Sequence, residues 1–183
     1  QINIFGNTRT LDSVIRREVE FSEGDPISTY LLQKTNKNLN RLNFFESTDI
    51  KQTKIDSEKS VIDIYVKEKP TGDFKIGASF GSLSGPSFVT GLSEKNYGGK
   101  GRNLDLTVDT SKNNTVYSLD VLEPYVFNKK LNYLYGLDYS EKKYKSTGSY
   151  NVDRLDLKNG FNYYLVDDLL HSVVLRYTLK NYK

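Results

Sequence analysis

From Phe74 onward, apolar side chains fall on nearly every second position. Phe74, Ile76, Ala78 and Phe80 share one face of an extended segment, and Lys75, Gly77, Ser79 and Gly81 share the other, which is the period of two that a strand imposes. The alternation returns in Phe88, Thr90 and Leu92, then in Leu104, Leu106 and Val108, set against Asn103, Asp105, Thr107 and Asp109. It recurs through Tyr117, Leu119 and Val121, through Leu131 to Tyr139, through Leu155 to Tyr163, and through His171 to Leu179. Turn residues separate these runs: 82–86, the Asn96-Tyr97-Gly98-Gly99-Lys100-Gly101 segment, Pro124 and Asp167-Asp168. The pattern predicts about seven antiparallel strands of roughly ten residues, each with one apolar and one wet face.

The first seventy residues follow a different grammar. Ile2 and Ile4 before Gly6-Asn7 predict a short strand. Leu11, Val14, Ile15 and Val19 recur at helical spacing, predicting a helix capped by Thr10 or Asp12 and ended by Gly24. A second helix is expected behind a Ser28 N-cap, with Tyr30, Leu31, Leu39 and Leu42 as its buried stripe and Phe44-Phe45 closing it onto the core. Two strands follow, at 47–54 and 61–67, around a polar turn at 56–60. The expected order is β-α-α-β-β. The segment 66–74 is the seam, because Pro70 cannot donate to a sheet ladder and Gly72 tolerates unusual backbone angles. Two domains are therefore expected, 1–69 and 70–183.

Composition narrows the chemistry. With no cysteine among 183 residues there is neither a disulfide framework nor a thiolate zinc site. The 26 Lys and Arg against 23 Asp and Glu are too balanced to indicate a nucleic-acid partner. Aromatic content is 13%, from 14 Tyr and 9 Phe with no Trp, which suits sheets with one wet face. No run approaches the ~18 apolar residues of a membrane helix, so any membrane contact must come through strands. The start at Gln1, without a signal segment, reads as a slice of a longer chain.

Candidate reactive groups reduce to structural ones. Gly98-Gly99-Lys100-Gly101 lacks the Ser or Thr and the helix that a phosphate loop requires, and reads as a hairpin turn. His171, the only histidine, has no second imidazole or cysteine to make a metal site or triad. Asp105 with Asp109, and Asp153 with Asp156, are read as solvated residues of a wet face rather than acid–base pairs. The tyrosines are either ordinary strand formers or an aromatic girdle at lipid headgroups. No metal or cofactor is expected.

Several local segments carry a resemblance. Phe5-Gly6-Asn7, Arg16-Arg17-Glu18, Glu23-Gly24-Asp25 and above all Arg41-Leu42-Asn43-Phe44-Phe45-Glu46 resemble a POTRA module, in particular the last module of the BamA family, with Asn43 where the family usually has glycine. Downstream, Asn96 to Gly101 is similar to the family's aromatic and glycine turn, and Glu123-Pro124-Tyr125-Val126-Phe127 to its Asn-Pro-Tyr-Phe segment, with Glu123 departing from the Asn. The implied fold is an α+β POTRA module followed by the opening antiparallel strands of a transmembrane β-barrel, incomplete at Lys183 because a bacterial barrel closes on an even strand number.

The resemblance implies a non-enzymatic role: assembly and insertion of β-barrel proteins at the bacterial outer membrane, with the POTRA module in the periplasm. The implied partners are unfolded outer-membrane proteins, accessory assembly lipoproteins and the lipid bilayer. The expected strand-pairing edge is Phe74, Lys75, Ile76, Gly77, Ala78, Ser79, Phe80 and Gly81, where an incoming strand adds by β-augmentation. The second expected edge is Ser47, Thr48, Asp49, Ile50, Lys51 and Gln52 in the POTRA module. Arg16, Arg17 and Glu23 are the residues implied for docking accessory lipoproteins. Two alternatives stay open: a protein-secretion transporter of the same superfamily, and a soluble lipid-binding β-protein.

Overall fold

The computed structural model describes every residue except 57–58, 83–84, 145–148 and 167–168. Parts of the expected turns at 56–60 and 82–86, and the Asp167-Asp168 turn, lie outside the described residues. The chain forms two compact units: residues 1–71 with 96–101, and residues 72–95 with 102–183.

The first unit is built on a three-stranded sheet, β1 (Ile2–Phe5), β3 (Ser60–Glu68) and β2 (Phe45–Lys54), in that spatial order. The central β3 pairs parallel with β1 and antiparallel with β2. Its Ile62, Ile64 and Val66 are buried while Tyr65 is exposed, so a run that looks continuously apolar in sequence is in fact alternating. Two helices cover this face, α1 (Asp12–Arg16) and α2 (Thr29–Leu42), and bring Val14, Ile15 and Leu39 onto the isoleucines. Each such fully buried aliphatic side chain contributes about 1.5–3 kcal/mol of transfer free energy.

Helix α2 follows local rules at both ends. The Ser28 hydroxyl accepts from the Leu31 N–H at 3.3 Å, and Asn43 ends the helix in the left-handed region at φ 59°. That reversal turns Phe44 and Phe45 inward, where both are buried. Tyr30, expected in the buried stripe, is instead 69% exposed; Thr35 takes the inward position and its hydroxyl accepts from the Glu20 N–H. Helix α1 is shorter than the spacing predicts. It ends at Arg16, and its N-cap is Leu11, without a side-chain cap. The reason is tertiary: Thr10 is engaged elsewhere, while the Glu18 carbonyl and the Glu20 carboxylate accept from the Asn38 amide of α2.

The second unit is a seven-stranded antiparallel meander in sequence order: β4 (Gly72–Gly81), β5 (Gly85–Tyr97), β6 (Arg102–Ser111), β7 (Asn114–Glu123), β8 (Leu131–Tyr144), β9 (Tyr150–Val166) and β10 (Leu169–Tyr182). Among the described residues no helix is long and apolar enough to cross a membrane, which leaves strands untouched as an argument. The pairing register aligns side chains in rows. Leu106, Leu119, Leu137, Leu157 and Tyr177 form one row across five strands, and all five are exposed. The row one residue away on the opposite face runs Asp105, Asp120, Gly136, Lys158 and Arg176. There Lys158 is only 11% exposed and bridges Asp120 and Asp138 at 2.6 and 2.9 Å. Asp156, expected to be solvated, is buried and accepts from Arg154 and Thr178.

Across the central strands this arrangement is inside-out: the charged face is sheltered at Asp156 and Lys158 and the leucine face is bare. A soluble sandwich or lipid-binding barrel buries its apolar face. A wall that stands in lipid exposes it and turns its polar rows inward.

Candidate functional site

β4 is the structural edge on which the sequence places strand pairing. It pairs with β5 over its whole length, from Gly72 opposite Glu94 to Gly81 opposite Gly85, without a register shift. Its other side has no partner among the described strands. Phe74, Ile76 and Phe80 are exposed, Ile76 by 82%. The strand before β4 in sequence, β3, belongs to another sheet, so no hairpin neighbour can cover this side. β4 is held by its ladder, by the Ser79–Ser87 hydroxyl pair at 2.6 Å and by Lys95 on Asp73 at 3.0 Å. Any further partner must arrive from far along the chain or from another chain.

In the first unit, β2 is likewise an edge, with Ser47, Asp49, Lys51 and Gln52 exposed and Thr48 and Ile50 half-buried. The strand begins two residues earlier than expected, at Phe45, with a register irregularity before Ser47. Thr48 donates to Asn36 of α2 at 2.5 Å, tying the edge to the helix.

Arg16 and Glu23 are brought together on the backbone of Ile2. Arg16 donates to the Ile2 carbonyl at 3.2 Å while bound to Asp12 at 2.5 Å, and Glu23 accepts from the Ile2 N–H at 2.9 Å. Glu23 also lines a groove of about 490 Å³ that reaches Gln52 at the end of the β2 segment, so two regions singled out separately in the sequence share one concavity. Arg17 is not part of this cluster. It is half-buried and directed at the Lys100 carbonyl.

Sequence reasoning missed the most constrained carboxylate of this unit, Glu68. Its two oxygens accept from the N–H groups of Thr8, Arg9 and Thr10 at 3.1, 2.9 and 2.7 Å and from the Thr8 hydroxyl at 2.8 Å. Burial pushes the carboxyl up, but the hydrogen bonds from Thr10, Thr8 and Arg9 outweigh it and hold it at about 2. The loop it gathers is also the seat of the 96–101 turn. Asn96 donates to the Thr10 hydroxyl at 2.9 Å, and the Leu11 N–H donates to the Gly99 carbonyl at 2.9 Å. Gly99 has φ +71°, and a Cβ there would collide with the Arg9 carbonyl, so the approach requires glycine. The Gly98-Gly99-Lys100-Gly101 segment is thus a packed turn.

Nδ1 of His171 is 2.7 Å from the Tyr163 hydroxyl, and among the described residues no three His, Asp or Glu side chains are placed to hold a metal ion.

Comparison with known proteins fits this geometry. Residues 1–69 match the POTRA family, described as a surface antigen variable number repeat. The first 69 residues are thus POTRA-like, and the seven-stranded antiparallel sheet that follows has the fold of part of the BamA barrel. It is 29% identical over 169 residues to the outer membrane protein assembly factor BamA of Neorickettsia risticii, covering 92% of this chain and 23% of that protein. To BamA of Buchnera aphidicola it is 30% identical over 167 residues, covering 89% and 26%. Among solved structures, BamA from Haemophilus ducreyi lacking POTRA domains 1–3 superposes with a TM-score of 0.90 at 24% identity, over all of this chain and 35% of that one. CdiB from Acinetobacter baumannii gives 0.62 at 14% identity, over 97% and 38%. The chain is BamA-like, homologous to BamA over most of its length, and spans about a quarter of the curated relatives it matches. Homology to BamA over most of the chain places it among outer-membrane proteins, with its POTRA domain in the periplasm.

Proposed function

We propose that this chain is the working edge of an outer-membrane protein assembly factor, in which β4 receives a strand of an unfolded outer-membrane protein by backbone pairing. The observation that carries the reading is the unpartnered side of β4, which no local hairpin can cover. Non-local closure is slow and entropically costly compared with hairpin pairing, so this side is the one a competing strand can enter. Gly77 and Gly81 lower the side-chain packing that would otherwise fix it. β2 offers the same backbone chemistry to unfolded chains on the periplasmic side. The Arg16–Glu23 cluster beside the groove is the proposed docking point for accessory lipoproteins, with Arg17 as a separate contact at the end of α1, directed at the Lys100 carbonyl.

In an antiparallel ladder successive residues direct their backbone groups to opposite neighbours. Of Gly77→Pro and Ala78→Pro, one therefore removes an inward donor to β5 and the other an outward one. In the complete protein the outward substitution is expected to stop assembly of barrel substrates while the heat-shifted mobility of the folded barrel is retained. Normal substrate assembly with both prolines would remove β4 pairing as the working step.

A further inference from the structure

We infer that the rim between β7 and β8, with the groove on the apolar face beside it, is a binding site for an anionic phospholipid of the periplasmic leaflet. The inference rests on the reading of the sheet as a membrane wall. In a meander every second turn falls at the same end of the sheet, so the 124–130 turn lies at the end where β4 begins, which is the periplasmic rim.

Three observations converge there. The first is backbone strain: Tyr125, Phe127 and Asn128 all have positive φ, at 55°, 58° and 56°, a region that bulky side chains avoid. The strained turn leaves the Phe127 ring 77% exposed at the mouth of a groove of about 450 Å³ on the apolar face, floored by Gly160 and walled by Phe161, Val173 and Leu175. A Cβ at position 160 would project to the opposite face and collide there with the Val174 side chain, so glycine is required for close β9–β10 packing beneath the groove.

The second is charge. Lys129 and Lys130 close the turn, both are exposed, and neither ammonium has a partner among the described residues. The nearby acid at the end of β7, Glu123, is already paired with Arg102, so among the described residues the 124–130 turn carries two positive charges that no acid compensates. The third is an amide in the wrong solvent. Asn159 stands exposed in the apolar face; its carbonyl accepts from the Tyr133 hydroxyl, and its NH2 donates to nothing among the described residues. A lone donor facing hydrocarbon is costly. Asn159 lies four residues from Tyr163, the partner of the first β8 residue, which is about 13 Å along the strand and shallower in depth because barrel strands tilt. An acyl ester is an acceptor at that level.

An acyl chain in the groove, a phosphate over Lys129 and Lys130, and an ester carbonyl on Asn159 satisfy all three. A zwitterionic lipid meets the groove and the amide but brings a compensating cation to the lysines, so the preference is for net negative headgroups.

The test is native mass spectrometry of the complete protein in detergent, titrated with palmitoyl-oleoyl phosphatidylglycerol or with the phosphatidylcholine of the same chains. Replacing both Lys129 and Lys130 with Gln is expected to weaken phosphatidylglycerol binding roughly 25-fold, about fivefold per lysine, and to leave phosphatidylcholine unchanged. Asn159→Leu is expected to weaken both lipids alike. Lys112→Gln, at the opposite end of the sheet, should change neither. Unchanged phosphatidylglycerol binding in both variants, or equal loss of the two lipids in the lysine variant, overturns the site. A protein that fails to partition into detergent and shows no heat-shifted mobility refutes the membrane-wall reading itself, so the two failures are distinguishable.

Discussion

Replacing Glu68 with Gln removes the charge that gathers three consecutive backbone donors while keeping the side chain's size. The carboxylate is 7% exposed and held at about 2, against an ordinary glutamate value of 4.5. At about 1.4 kcal/mol per pH unit, that gap corresponds to about 3 kcal/mol of stabilisation. The sign follows from the depressed value: the contribution is complete above pH 4.5 and is lost as pH falls from there through 2. At pH 3 roughly 2 of the 3 kcal/mol has gone. The substituted amide retains one acceptor oxygen but presents an NH2 group to N–H groups that need acceptors. The assay is hydrogen exchange with mass readout on peptides covering residues 7–11 in the complete protein, corrected for the intrinsic pH dependence of exchange. At pH 7, protection in Glu68→Gln should fall on the order of 100-fold. Between pH 6 and 3 the wild type should lose protection and the variant should stay flat. Parallel pH profiles would refute the assignment, because they would place the titrating group elsewhere.

Lys158→Met leaves Asp120 and Asp138 facing each other without their cation on the sheltered face, and should cost about 2 kcal/mol, between the values for exposed and buried pairs. It is read as a lower temperature for the heat-shifted band of the folded barrel. At the end of α2, Asn43→Gly should keep stability within a few tenths of a kcal/mol, because both residues accept φ 59°, whereas Asn43→Val should cost about 1–2 kcal/mol in urea unfolding of the POTRA unit.

What the sequence makes legible here is set by the range of the interactions. Ser28, Asn43 and the Phe44-Phe45 pair act on neighbours within a helical turn, so capping and spacing rules place them. The same rules overextend helix α1, because Thr10, Glu18 and Glu20 commit their groups to Glu68 and to Asn38, partners fixed only by tertiary structure. In the sequence Glu68 is one more charge in a linker, since its donors lie 58 to 60 residues away. For the sheet, a period of two gives strands but is symmetric between its faces. It cannot say whether Leu137 or Asp138 meets the solvent, which is why the expectation for Asp156 is a wet side chain. Exposure breaks the symmetry: Leu175 is 74% exposed while Lys158 is 11% exposed, and transfer energetics then require the environment outside the leucines to be apolar. That one asymmetry separates a membrane wall from a soluble sandwich of identical periodicity. It also explains why Asn159, an ordinary amide in the sequence, becomes a polar group with a demand to meet once its row is known to face lipid.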